Sequence, residues 1–249
     1  MLTREQLLWF SRKNSAPLAT QERDYLQALF LSQLFSKKIA LIFKGGTALR
    51  FVLKSGRFSD DLDFTAMNGD SEKDLKKAVL LFGKIGIEAK LELVQKYAFG
   101  KRFKLRFRGP LYTGDPRTAG SINIDVSFRR DYLLEPEWNR VETDYPDVPP
   151  FSILMMQPEE ILAEKIRALL IRAKSRDLYD VWFLLRKGLK PNFSLINRKL
   201  ALYSKKFKKT EFRKSMKRIG SAWERDMKRL MLIPPDFPAI SREVLRLLQ

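Results

Sequence analysis

Two aspartates one residue apart, Asp61 and Asp63 in the run GRFSDDLDF, carry the clearest chemistry in this chain. On a β-strand, side chains at i and i+2 face the same side, so both carboxylates point one way while Leu62 and Phe64 pack the other. Two aligned acids suit a divalent cation, and a site built only of oxygen favours Mg²⁺, Mn²⁺ or Ca²⁺. A third acid, Asp125, sits in the alternating run INIDVSF. Pairing that strand beside the first would bring three carboxylates to one point. Three such acids raise one another's pKa unless cations neutralise them. A pair of ions about 3.5–4 Å apart would activate an attacking hydroxyl and stabilise a leaving pyrophosphate. Upstream, Gly45 and Gly46 lack side chains and precede a helical pattern, so a polyphosphate is expected to approach the backbone N–H groups there.

These residues need a strand, a glycine turn and a helix in succession, and the local pattern predicts them. A β-branched and aromatic run at 39–43 reads as a strand, Gly45-Gly46 as the turn, 47–54 as a helix, and 61–66 as the strand of the two aspartates. Two helices precede them, at 3–13 and 20–37, the first with Thr3 and Gln6 as a capping box. Ser71 is placed to cap a helix over 71–84. Three more strands follow, at 88–94, 101–108 and 121–128. In the second of these Phe103, Leu105 and Phe107 fall on one face and Arg102, Lys104, Arg106 and Arg108 on the other, a core side and a basic stripe. Residues 132–150, rich in proline and acids, read as a connecting loop, and everything after them as helical: 158–173 behind Pro158, then 177–187 closed by Gly188.

Composition narrows the chemistry further. With no histidine and no cysteine among 249 residues, there is no imidazole base, thiolate, disulfide, or zinc, haem or iron–sulfur site of the usual ligand types. The 48 Lys and Arg against 29 Asp and Glu give a net charge of +19, a field that attracts polyanions, nucleic acid first. Between 198 and 229 stand 13 basic residues and 3 acidic ones, with Phe207, Phe212, Met216, Ile219 and Trp223 at roughly helical spacing, which predicts an amphipathic basic helix or pair of helices. No apolar run is long enough to span a bilayer and the opening residues do not read as a signal peptide, so a cytoplasmic protein with no membrane partner is expected.

The blocks GGTALR, GRFSDDLDF, Asp125 in its strand, and EKIRALLIRAKSRDLYDVW together resemble the AbiEii-type nucleotidyltransferase toxins of type IV toxin–antitoxin systems, within the DNA polymerase β-like superfamily. The resemblance implies that Gly45, Gly46, Thr47 and Ser59, with Arg57 beside them, bind the nucleotide's triphosphate. It implies that Asp61, Asp63 and Asp125 are catalytic and hold Mg²⁺ or Mn²⁺. It makes Lys165 the family's essential lysine, on the nucleotide's phosphates, and Asp180 its late essential aspartate. The spacing of Ile161, Leu162, Ile166, Leu169 and Leu170 is read as a buried stripe that leaves Lys165 and Arg172 on the opposite side, so that Lys165 is expected to point into a cleft.

The expected fold is α/β (α+β) and two-lobed: residues 1–145 a small mixed-sheet nucleotidyltransferase core flanked by helices, residues 146–249 a mainly helical lobe with the basic region. The expected activity is transfer of a nucleoside monophosphate from an NTP to an RNA acceptor, the tRNA 3′ end foremost, restraining growth and countered by a cognate antitoxin. The alternatives are a small-molecule or protein acceptor, or an RNA-binding module without turnover. Plainer readings of single residues stand beside these. Ser59 caps a turn, Arg57 pairs with Asp60, Asp177 and Asp180 complement a helix dipole, and the basic run is a solvated face or the seat of an acidic antitoxin.

Overall fold

The computed structural model of this chain describes residues 1–37, 39–68 and 71–248. Its chain forms two compact units, one of Met1–Arg130 and Pro136–Met155, the other of Asp131–Glu135 and Met156–Gln249.

The first unit is built on a seven-stranded mixed sheet among the described residues, with strands β1 (Leu41–Lys44), β2 (Asp61–Ala66), β3 (Glu88–Tyr97), β4 (Gly100–Arg108), β5 (Gly120–Ser127), β6 (Glu137–Val141) and β7 (Phe151–Met155). Their order is β3-β4-β5-β2-β1-β7-β6. Helices α1 (Arg4–Lys13), α2 (Leu18–Leu34), α3 (Gly45–Phe51) and α4 (Ser71–Lys84) accompany the sheet. Thr3 caps α1 in the expected box with Gln6. The α4 helix starts at Ser71, and the residue before it lies outside the described residues.

The strand alternation is as expected, because one face must be dry. Leu62, Phe64, Phe103, Leu105, Ile122, Ile124 and Val126 are buried on the face opposite the aspartates. Burying each such side chain contributes on the order of 2 kcal/mol. The α2 helix packs on β5, β7 and α4, and the Phe30 and Phe82 rings meet edge-on at 5.8 Å.

Two expectations change. Residues 132–150 are not simply a loop, and the chain after them is not wholly helical: β6 and β7 pair antiparallel, and β7 joins the central sheet in parallel with β1. These strands are five residues each, and exposure along β6 removes the apolar alternation that announces a strand. The basic stripe of β4 is largely neutralised across the sheet, Arg102 by Asp125, Arg106 by Glu92 and Arg108 by Glu88.

The second unit is helical: α5 (Pro158–Arg172), α6 (Ser175–Arg186), α7 (Phe193–Ala201), α8 (Lys209–Gly220), α9 (Trp223–Lys228) and α10 (Phe237–Leu247). Pro158 opens α5, Ala173 ends it in the left-handed conformation, and Gly188, at φ 90°, follows α6. Phe212, Met216, Ile219 and Trp223 are buried, the apolar side of the expected basic helices. Because α5 packs against α6, α7 and α8, it is buried on nearly every side. Lys199, 1% exposed, joins Glu160 at 2.5 Å and Glu164 at 3.2 Å, while the Glu160 carboxylate accepts the N–H groups of Leu133 and Leu134. This buried ionic group fastens the 131–135 segment to α5 and α7. No helix among the described residues is long and apolar enough to cross a membrane.

Candidate active site

The β1–α3–β2 segment positions the first group of candidate residues. No separate glycine turn intervenes: α3 begins at Gly45 itself, directly after β1, with Lys44 as its N-cap. Gly45 has φ +77°, a conformation that a β-carbon penalises. A β-carbon on Gly45 would lie 2.2 Å from Asp63 Oδ2, and one on Gly46 would lie 2.2 Å from Arg57 Nη2 and 3.0 Å from Ser59 Oγ. The two glycines therefore admit the protein's own aspartate, arginine and serine to the start of α3.

The other predicted nucleotide contacts are placed as follows. Thr47 is fully buried, and its hydroxyl donates to the carbonyl of Asp61, tying α3 to β2. Arg57 is 1% exposed, with Nη1 donating to the Phe58 carbonyl at 2.9 Å. Asp60 is paired with Arg23. Ser59 is half-buried beside Gly46. At its far end α3 is held by Arg50, whose Nε donates to Asp24 on α2 at 2.8 Å, and Asp24 also accepts the hydroxyl of Tyr145 at 2.7 Å. Burial, then the Asp24 charge and hydrogen bond, push the Tyr145 phenol far above the usual tyrosine range.

Across the sheet, register sets the charges. Lys44 pairs with Asp63, Asp63 with Asp125, and Asp125 with Arg102, a row over β1, β2, β5 and β4 that reads cation, acid, acid, cation. The adjacent row aligns Asp61 with Asn123 and Asn123 with Lys104, and the Asn123 amide donates to Asp61 Oδ1 at 3.1 Å. Neighbouring strands lie about 4.8 Å apart. At that spacing two like charges in an effective dielectric of about 20 repel by about 3 kcal/mol, which the flanking cations offset. Arg102 grips Asp125 with two hydrogen bonds, Nε to Oδ1 at 2.9 Å and Nη2 to Oδ2 at 3.1 Å. The bond to Asp125 holds the guanidinium pKa above its ordinary value, burial opposes it, and the charges of Asp125 and Asp61 add to the rise.

All three expected acids thus share one face, with Asp63 and Asp125 directly opposed. Among the described residues, however, no group of three or more carboxylates is arranged to hold a metal ion, and Asp125 is engaged by Arg102. Asp61 and Asp63, half-buried at i and i+2 on one face, have the donor chemistry of an oxygen-ligated cation site. Three members of this face had no site role in the sequence, Arg102 being legible there only as part of a basic stripe: Lys44, Arg102 and Asn123. Their signal is present only once the register is known, because each is identified by the strand residue opposite it.

The second unit holds the remaining candidates. Lys165 on α5 pairs with Asp180 Oδ2 at 2.8 Å and Asp177 Oδ1 at 3.3 Å, both on α6 and three residues apart, hence on one helix face. Lys165 is 8% exposed and both aspartates are fully buried. The expectation that Lys165 stands opposite the buried stripe is corrected. It is four residues from both Ile161 and Leu169, and the 3.6-residue period puts it on their side. Arg172, in contrast, is more exposed and closes on Asp177 with two hydrogen bonds, at 2.8 and 2.9 Å. Burial pushes the Asp177 carboxyl up, yet the Lys165 charge and the Arg172 hydrogen bonds outweigh it and hold the group well below the usual carboxylate range.

MenT4, a nucleotidyltransferase toxin from Mycobacterium tuberculosis H37Rv, has a similar structure, with TM-score 0.71 and 20% identity over 100% of this chain and 89% of that one. JHP933 from Helicobacter pylori is also similar, with TM-score 0.67 and 20% identity over 94% of this chain and 92% of that one. At such identities the likeness shows the fold. No curated protein sequence matches the chain. The family profile described as "Nucleotidyl transferase AbiEii toxin, Type IV TA system" matches residues 27–244, which takes in the glycine start of α3, both charge rows and the Lys165 group. The chain is accordingly a nucleotidyltransferase and belongs to the AbiEii toxin family of type IV toxin–antitoxin systems.

Proposed function

We propose that this nucleotidyltransferase moves a nucleoside monophosphate from an NTP to an RNA 3′ end, with tRNA as the acceptor, and restrains growth until a cognate antitoxin opposes it. The observation that carries the transfer chemistry is the charge row Lys44–Asp63–Asp125–Arg102 set against Gly45. The overall charge of +19 supports a polyanionic acceptor.

In this reading Asp61 and Asp63 would hold Mg²⁺ or Mn²⁺. Such a cation, when bound, supplies positive charge to the phosphate oxygens of the reacting nucleotide and of the leaving pyrophosphate. The chain's own residues do the positioning. Asn123 orients Asp61 by its hydrogen bond, and Gly45 lets Asp63 approach the start of α3. Ser59, Arg57 and the backbone at Gly45, Gly46 and Thr47 form the nucleotide side of the site, and Lys44 and Arg102 bracket the acids with positive charge suited to the triphosphate. Asp125 holds Arg102 in place, and its carboxylate becomes available to a cation only if that grip opens. Lys165 is assigned to nucleotide phosphate, and its ion pairs with Asp177 and Asp180 hold the side chain in place. The acceptor hydroxyl then replaces pyrophosphate at the α-phosphorus.

The test is incubation of the full chain with each of four α-labelled NTPs, a divalent cation and total tRNA, followed by gel separation and mass spectrometry of the RNA. Transfer of a defined nucleotide to the 3′ end supports the reading. Label on a small molecule or on protein, with none on RNA, would reassign the acceptor. No transfer with any base would remove the proposed chemistry.

A further inference from the structure

The second unit contains a cavity of about 430 Å³ rimmed by five cations, Lys205, Lys206, Lys208, Lys214 and Arg218, and a single carboxylate, Glu211. Its rim is built from an anchored link and one helix face. Glu211, Lys214 and Arg218 follow at i, i+3 and i+7 of α8, so they project together. The link from α7 turns back through Ser204 at φ 52°, where the Ser204 N–H returns to the Ala201 carbonyl and the Lys205 N–H to that of Leu200. Phe207 then fastens the link. Its N–H donates to Asn197 Oδ1 at 2.8 Å, and its ring lies 5.0 Å from that of Phe193 and 6.0 Å from that of Phe212. Lys206 and Lys208 flank this anchor, which keeps their backbone at the rim despite mutual repulsion.

Charge pairing differs here from the sheet, where Arg102, Arg106 and Arg108 each meet an acid. Only Lys208 has an ion pair at the cavity, with Glu211 at 3.9 Å. Lys205, Lys206, Lys214 and Arg218 have no carboxylate partner among the described residues. The five cations are exposed and therefore screened by water and salt, and an anion seated among them gains from their summed field. Lysine binds phosphate as a compact point charge and arginine does so through its planar fork, so this set of cations is chemically fit for phosphate oxygens. The lining is mostly polar, with Leu170 on one side, and it offers no aromatic anchor of the sort that dominates protein interfaces. The volume and a net charge near four exceed what one inorganic phosphate would neutralise.

We propose that this cavity is a phosphate-binding pocket that grips consecutive backbone phosphates of RNA. The choice of RNA rests on the acceptor proposed above; the phosphate chemistry rests on the pocket alone.

The experiment measures binding of fluorescein-labelled tRNA to the full chain, without NTP, across a range of salt concentrations. The pocket variant K205Q/K206Q/K214Q is compared with R213Q/K217Q/R229Q, which removes equal charge from exposed residues outside the rim. Thermal melts of both verify the fold. The pocket variant should bind about tenfold more weakly, with a log–log salt slope shallower by about 2, since each lost phosphate contact removes about 0.7–0.9. The control should change by less than about threefold. Inorganic phosphate should displace RNA from the unaltered chain better than chloride at equal ionic strength, and this advantage should vanish in the pocket variant. Equal losses in the two variants would show a diffuse surface and overturn the pocket, as would unaltered RNA binding or a failure of phosphate to outcompete chloride. Loss of poly-glutamate binding with RNA binding intact would reassign the cavity to an acidic protein and likewise overturn it. Transfer activity, assayed separately, keeps the two readings distinguishable. Pocket-dependent RNA binding without transfer preserves this inference and sinks the proposed reaction; transfer with pocket-independent binding does the reverse.

Discussion

The carboxylate of Asp63 occupies the place where a side chain on residue 45 would begin: a β-carbon on Gly45 would stand 2.2 Å from Asp63 Oδ2. Gly45 also takes φ +77°, so steric space and backbone conformation demand glycine independently. The substitution Gly45→Ala should cost about 1–2 kcal/mol in backbone strain. For a chain of this size that corresponds to a melting temperature lower by roughly 2–8 °C. Nucleotidyl transfer should fall far more, because Asp63 must move. Calorimetry and a labelled-NTP assay separate the two effects; an alanine variant with ordinary activity would detach Asp63 from catalysis.

Asp63→Asn removes one charge from the acid pair at the centre of the row while keeping the side chain's size. The fold should survive with its melting temperature little altered, since Asp63 lies between a like charge on Asp125 and an unlike one on Lys44. Transfer should drop at least about a hundredfold. Retained turnover at saturating cation would take Asp63 out of the cation site.

Arg102 competes for Asp125. Arg102→Gln should therefore strengthen Mn²⁺ binding, read by electron paramagnetic resonance of the full chain. The gain should be up to about fivefold, since a partly exposed ion pair is worth up to about 1 kcal/mol. Weaker Mn²⁺ binding in this variant would contradict the idea that Arg102 masks an acid.

Lys165 is nearly inaccessible and meets two fully buried aspartates. Lys165→Met should destabilise the protein by about 3–5 kcal/mol, because two carboxylates lose the cation between them inside the second unit. The triple variant K165M/D177N/D180N should recover much of that loss. Urea unfolding of both checks it, and a triple variant no more stable than the single one would argue against charge as the cause.

Asp177 sets an acid dependence. Its folded pKa is depressed below the ordinary 3.8 because the Lys165 charge and the Arg172 hydrogen bonds outweigh burial. The stabilisation is therefore complete above the unfolded value and is lost as pH falls below about 4 toward the folded value. Between pH 5 and 2.5, Asp177→Asn should show a shallower decline of unfolding free energy than the unaltered chain. Parallel declines would refute the assignment.

Local order was legible wherever one face of an element is dry and the other wet. The β2 strand has the limits that its alternation indicates, and the capping box of α1 formed where Thr3 and Gln6 stand. The short strands β6 and β7 were not legible, because five residues carry too little periodicity, β6 is mostly exposed, and β7 finds its central partner, β1, far away in the chain. Lys165 was misplaced for another reason. A lysine at helical spacing from Ile161 and Leu169 reads as surface until the aspartates of the next helix are known to face it.

By itself, the amino-acid sequence determined the chemical types at hand: carboxylates without histidine or cysteine, glycines at the head of a helix, an excess of cations. It also determined that Asp61 and Asp63 face one way, because the two-residue strand repeat is a property of the backbone. Only the tertiary structure decided which residues answer them. Lys44, Arg102 and Asn123 entered through strand register, a relation among residues up to 62 positions apart, as Asp61 is from Asn123, that no local pattern encodes. The glycines likewise acquired their purpose from outside their own segment, since the atoms that require their bareness belong to Asp63, Arg57 and Ser59.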